Sequence, residues 1–85
     1  HYLSDKYIRV LKDGFVSMDM AQNILVVKTV SGMAMDVAAS IYAMQWPEVA
    51  GCIAGDDTIM CANRSVDDTL IVMEKIRKIV GEPNN

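Results

Sequence analysis

Histidine is all but missing from this 85-residue sequence: the single one is His1, which reads as a remnant of processing at the terminus. With no internal imidazole, the two cysteines have no activating His or Lys beside them in sequence, so nucleophilic catalysis has no candidate and no enzymatic activity is expected. Two cysteines are also too few for a disulfide framework. Cys52 and Cys61 fall in strand-like sequence and read as reduced thiols, small core residues of a cytoplasmic protein. Long apolar runs are absent as well. The longest are no longer than Ile24 to Val27, whereas a membrane span needs about 20 apolar residues. His1 to Lys12 mixes charges among its apolar residues and offers no signal-peptide core. Positive charge is scarce: 8 Lys and Arg face 11 Asp and Glu, for a net charge of −3 and a pI near 4.8. The basic residues gather only at Lys75, Arg77 and Lys78, so direct contact with nucleic acid is not expected.

What is present is apolar surface, 52% of the residues, in a chain the size of one small domain. Residues 1–12 read as a lead-in, helical or extended, in which Tyr7, Ile8, Val10 and Leu11 sit among charges before a stop at Asp13-Gly14. Phe15 to Met18 and Asn23 to Val30 read as two strands of a hairpin around Asp19-Met20-Ala21-Gln22. Ser31-Gly32 offers an N-cap for a helix over Met33 to Gln45, with Ala34, Val37, Ala38 and Ile41 at helical spacing and Trp46-Pro47 as its end. Val49 to Ala54 and Thr58 to Ala62 read as two more strands. Ser65-Val66-Asp67-Asp68 has the form of a capping box, with Asp in the place of the preferred Glu. The helix it opens runs to Val80, with Leu70, Met73, Ile76 and Val80 as its apolar stripe, a Glu74–Lys78 pair on its surface, and Gly81 and Pro83 as its stop.

The expected fold is therefore α+β, in the order ββαββα: a four-stranded antiparallel sheet with two helices on one face. Ile24-Leu25-Val26-Val27 and Ile59-Met60-Cys61-Ala62 lack the apolar/polar alternation of a sheet with one wet face. Two helices cover one face, and the other is expected to be in contact with further copies of the chain. Ala34, Ala38, Ala39 and Ala43 fit a close-packed surface as well as they fit simple helix propensity.

One segment asks for chemistry. Gly51-Cys52-Ile53-Ala54-Gly55-Asp56-Asp57-Thr58 places two adjacent acids in a tight turn between apolar strands. If Asp56-Asp57 is a two-residue loop, Cys52 and Cys61 face each other across the ladder. The turn admits three readings. The acids are solvated and accept local backbone hydrogen bonds; or they hold a hard cation together with a third carboxylate from Asp13, Asp19 or Asp36; or they recognise an organic cation. In the last case a guanidinium suits best, because its planar fork of donors matches a carboxylate bidentately.

The segment Gly51 to Ile59, with Asp13-Gly14-Phe15-Val16, Asn23 to Thr29 and the helix start at Gly32, resembles the C-terminal domain of bacterial arginine repressors. The resemblance covers roughly Leu11 to Gly81. It implies a domain, spanning residues 1–85, that forms trimers pairing into hexamers. L-Arginine lies between the trimers as effector, with no cofactor and no metal. Asp56 and Asp57 match the family's ligand-holding acids, with Ala54, Gly55, Thr58, Met35, Asp36 and Tyr42 placed around them. The family's DNA-reading winged helix-turn-helix lies outside these residues. Met35 and Tyr42 stand where the family often has a polar residue and a further acid. Asp36 is one step round the helix from Met35, about 100° away. The alternative is a ligand-independent assembly module on the same fold, natural or engineered.

Overall fold

A computed structural model describes residues 2–81. His1 and Pro83, which the sequence reading singled out, lie outside them. The element order is α1 (Tyr2–Gly14), β1 (Phe15–Ala21), β2 (Ile24–Thr29), α2 (Ala34–Ala43), β3 (Val49–Ala54), β4 (Thr58–Asn63) and α3 (Val66–Val80). The expected ββαββα unit is intact, as an α+β fold, and a third helix precedes it. Of the two readings of the lead-in, the helical one holds, from Tyr2 to Gly14. Val10 and Leu11 of α1 turn toward the core, with Leu11 fully buried. Gly14 lets the end of α1 close on α2, since a Cβ there would lie 2.6 Å from Val37 Cγ2.

The four strands form one antiparallel sheet in the order β1-β2-β4-β3. Strand β1 runs further than expected. Ala21 pairs with Ile24, so the turn is Gln22-Asn23, and Asp19, Met20 and Ala21 belong to the strand. A two-residue loop fits the strand twist better than a four-residue one, with Gln22 taking φ 57°. A bulge between Phe15 and Ser17 leaves Val16 exposed.

One core lies on one side of the sheet. Leu25 and Val27 of β2 and Ile59 and Cys61 of β4 meet Leu11 of α1, Ala34, Val37 and Ile41 of α2, and Val72, Met73 and Ile76 of α3. Ala34 and Ala38 of the alanine-rich helix are spent on this core, leaving Ala39 on the surface. The stripe on α3 is shifted from the expected one: Thr69 is fully buried and Leu70 is 52% exposed. Thr69 enters the core because its hydroxyl is satisfied, donating to the Ser65 carbonyl at 2.9 Å. The ends of α3 follow the sequence. Ser65 Oγ accepts from the Asp68 N–H at 2.9 Å, and Gly81 closes the helix at φ 74°. Glu74 sits 3.7 Å from Arg77 rather than pairing with Lys78. Lys75 reaches Glu48 at 2.8 Å and crosses the Trp46 ring at 5.4 Å, tying α3 to the segment before β3.

Among the described residues, no helix lies on the opposite sheet face. Ile24 and Val26 of β2, Met60 and Ala62 of β4 and Ile53 of β3 point to it, and Ile53 is 80% exposed. Ile24, Ile53, Met60 and Ala62 line a shallow apolar groove there. Among the described residues, no helix is long and apolar enough to cross a membrane.

Candidate functional site

The acidic turn is the tip of the β3–β4 hairpin. Ala54 pairs with Ile59 and the Gly55 N–H donates to the Thr58 carbonyl at 2.8 Å, which leaves Asp56-Asp57 as a two-residue loop. The cysteine register expected from that loop follows: Cys52 and Cys61 are direct partners.

Main-chain hydrogen bonds hold this tip against the rest of the fold. The Asp57 carbonyl accepts from the Thr29 N–H at 2.8 Å, and the Asp56 carbonyl accepts from the Gly32 and Ala34 N–H groups, both at 3.1 Å. The expected N-cap of α2 by Ser31-Gly32 is therefore replaced. Met33 holds the cap position without a side-chain bond, and the Asp56 carbonyl satisfies an amide of the first turn that would otherwise lack a partner. At its other end α2 stops before Trp46-Pro47, because Gln45 turns left-handed at φ 55°.

With its backbone so engaged, the tip presents both side chains to solvent. Ser31 Oγ donates to Asp56 Oδ2 at 3.1 Å, and Thr58 Oγ1 donates to Asp57 Oδ1 at 2.9 Å while accepting from Lys28 Nζ at 3.2 Å. These contacts leave the acids exposed and ordered, without neutralising them. Among the described residues, ion pairs within 4.0 Å join Lys75 to Glu48 and Arg77 to Glu74, and none reaches Asp56 or Asp57. The N-terminus of α2, at the positive end of its dipole, is the nearest fixed compensation. The solvated-loop reading is modified in one respect: the carboxylates' partners are hydroxyls, and the backbone bonds run through the carbonyls. Asp13, Asp19 and Asp36 do not gather with them. No cluster of three metal-ligating His, Cys, Asp or Glu side chains occurs among the described residues.

Of the surrounding residues, Met35 and Tyr42 stand on one face of α2, 71% and 81% exposed. With Ala38, Ala39, Cys52 and Ala54 they line a groove between α2 and β3. Ala54, two residues before Asp56 in the chain, is the lining residue nearest the acidic tip in sequence, and neither Asp56 nor Asp57 lines the groove. Asp36 is exposed and absent from the groove lining. The sequence reading missed Ser31 and Lys28. Ser31 was assigned to a helix cap, and Lys28 reaches Thr58 only because β2 and β4 are neighbours in the sheet.

Sequence comparison fixes the class first: the chain matches a domain found in transcriptional repressors. It belongs to the arginine repressor C-terminal domain family, whose model, "Arginine repressor, C-terminal domain", matches residues 11–78. The arginine repressor of Lachnospira eligens is 68% identical over 77 residues, covering 91% of this chain and 51% of that protein. The arginine repressor of Lachnoclostridium phytofermentans is 67% identical over 79 residues, covering 93% and 52%. That of Caldicellulosiruptor bescii is 38% identical over 80 residues, covering 94% and 53%. The chain thus spans about half the length of these relatives.

Proposed function

We propose that this domain senses L-arginine and couples its binding to assembly, as the effector and oligomerisation part of a cytoplasmic transcriptional regulator of arginine metabolism. The observation that carries the proposal is the hairpin tip: two adjacent acids whose main chain is held by backbone hydrogen bonds and whose carboxylates each accept one from a neighbouring hydroxyl. Two adjacent carboxylates repel each other, and an unlike charge placed between them offsets the repulsion. A guanidinium relieves that repulsion with donors whose spacing matches a carboxylate. Asp56 and Asp57 hold the ligand; Ala54, Gly55 and Thr58 shape and orient the tip; Met35 is in the first turn of α2 beside it, and Tyr42 lies about two turns further along the helix.

The tip and the helix-free sheet face are separate surfaces, and a hexamer of two trimers needs two kinds of contact. In our proposal other copies of the chain cover the apolar sheet face, and L-arginine sits where trimers meet. Ligand held between trimers then favours the hexamer by linkage, about 2.7 kcal/mol at a hundredfold excess over Kd. In a protein that also carries a DNA-binding part, that bias sets how the DNA-binding parts are presented.

A second reading is supported by Met35 and Tyr42, which put an apolar and an aromatic side chain where ligand-supporting polar groups are expected. In that reading the domain assembles without ligand. Light scattering with and without L-arginine separates the two. Growth of the hexamer fraction with arginine supports the sensor, and an assembly indifferent to arginine supports the structural module.

A further inference from the structure

The thiols of Cys52 and Cys61 are in contact, with Sγ atoms 2.7 Å apart, and both cysteines are free. They are direct partners in the β3–β4 register. The Gly55–Thr58 pair is hydrogen-bonded, and such pairs alternate along an antiparallel ladder, so Cys52–Cys61 falls at a pair without ladder bonds of its own. There the facing Cα atoms approach to about 4.5 Å, inside the ~4.4–6.8 Å range that a disulfide spans. The strands need not move apart for the two sulfurs to join.

Access to the pair is one-sided. Cys61 is fully buried in the core, whereas Cys52 is half-buried and lines the groove between α2 and β3 as well as a second one bounded by Ile41, Tyr42, Trp46 and Val49. A small oxidant therefore reaches Cys52 first and meets Cys61 behind it. The hydrogen bond from Cys61 lowers the Cys52 thiol pKa against the opposing effect of burial, and the same bond together with burial pushes Cys61 up. Two cysteines serving merely as small core residues need neither the contact between sulfurs nor the opening onto one of them.

We propose that Cys52 and Cys61 form a reversible dithiol–disulfide modification site, with Cys52 as the attacking thiol and Cys61 as the resolving one, and hydroperoxides as the oxidant class. The Cys52 thiolate attacks one peroxide oxygen; an S–O bond forms, the O–O bond breaks, and the departing hydroxide takes up a proton as water. Cys61 sulfur then attacks the Cys52 sulfur, the S–O bond breaks, and the hydroxide leaves with the Cys61 proton as a second water. Two thiols lose two electrons and two protons, and one peroxide becomes two waters. The new bond ties β3 to β4 four residues before Asp56 and four residues after Asp57. The inference does not depend on what the acidic tip binds.

The test is to expose the folded protein to hydrogen peroxide, block free thiols with an alkylating reagent under denaturing conditions, and record the intact mass. The expected product is a monomer about 2 Da lighter that takes up no alkyl group, and that regains both alkylation sites after dithiothreitol. Cys61→Ala, which keeps the core position apolar, is expected to stop at a Cys52 sulfenic acid trapped by dimedone. Two alkylatable thiols after peroxide in the unmutated protein would overturn the proposal, as would disulfide-linked dimers or accumulation of Cys52 sulfinic acid.

Discussion

The carbonyl of Asp56 accepts a hydrogen bond from the Ala34 N–H at 3.1 Å, so the acidic hairpin tip is itself the N-terminal cap of α2. Position of the tip and start of the helix are one structural event. Gly32, which donates to the same carbonyl, makes this possible by adopting φ 82°, with open space where a Cβ would go.

Gly32→Ala is therefore expected to cost about 1 kcal/mol through backbone strain alone. Urea unfolding checks it, as a lower midpoint with an unchanged slope. A neutral effect would mean that the tip does not hold Gly32 in the left-handed region.

At Gly14 the cost is steric. A Cβ there would lie 2.6 Å from Val37 Cγ2, and overpacking of this kind costs roughly 1–3 kcal/mol. Gly14→Ala is expected to destabilise by that amount in the unmutated chain and by clearly less in a Val37→Ala background. A double-mutant cycle reads the coupling directly.

The pair of Lys75 and Glu48 gives a pH signature. The hydrogen bond from Lys75 holds the Glu48 carboxyl below its ordinary value of 4.5, with a backbone hydrogen bond adding to it. A carboxyl lowered by folding stabilises the fold at pH values above its unfolded pKa, and that contribution is lost as pH falls through the lowered folded value. Thermal melts should show Glu48→Gln less stable than the parent at pH 7, with the gap closing as pH drops below about 4.5. A gap that persists at pH 2 would assign the loss to packing instead.

Ile53 tests the sheet face. Its side chain is 80% exposed in the single chain, so Ile53→Lys is expected to leave secondary structure intact while shifting the assembly toward smaller species, as sedimentation velocity reads it. An unchanged oligomer would remove this face from the interface.

The features legible in the sequence are those set by local chemistry. Ser65 and Gly81 bound α3 because capping and left-handed turns are written in neighbouring residues, and the two-residue Asp56-Asp57 loop fixed the Cys52–Cys61 register. The features hidden in it depend on distant partners. The cap of α2 comes from a carbonyl more than twenty residues along the chain. Lys28 and Thr58 meet through the order of β2 and β4. Thr69 displaces Leu70 from the core through a satisfied hydroxyl, which apolar periodicity does not count. The first helix stayed open between helical and extended because of its charges: among residues 5–14 only Leu11 and Gly14 are buried, and packing rather than propensity gives a helix this short its stability.

Titration calorimetry with L-arginine on the parent chain and on Asp57→Asn tests the central claim most directly. Asp57 is exposed and its backbone carries the contacts that hold the tip, so the variant is expected to keep its fold. The account predicts saturable heat with the parent and its loss with the variant, by at least tenfold in Kd, about 1.4 kcal/mol. Absence of heat from the parent at millimolar arginine, or equal binding by the variant, would contradict it.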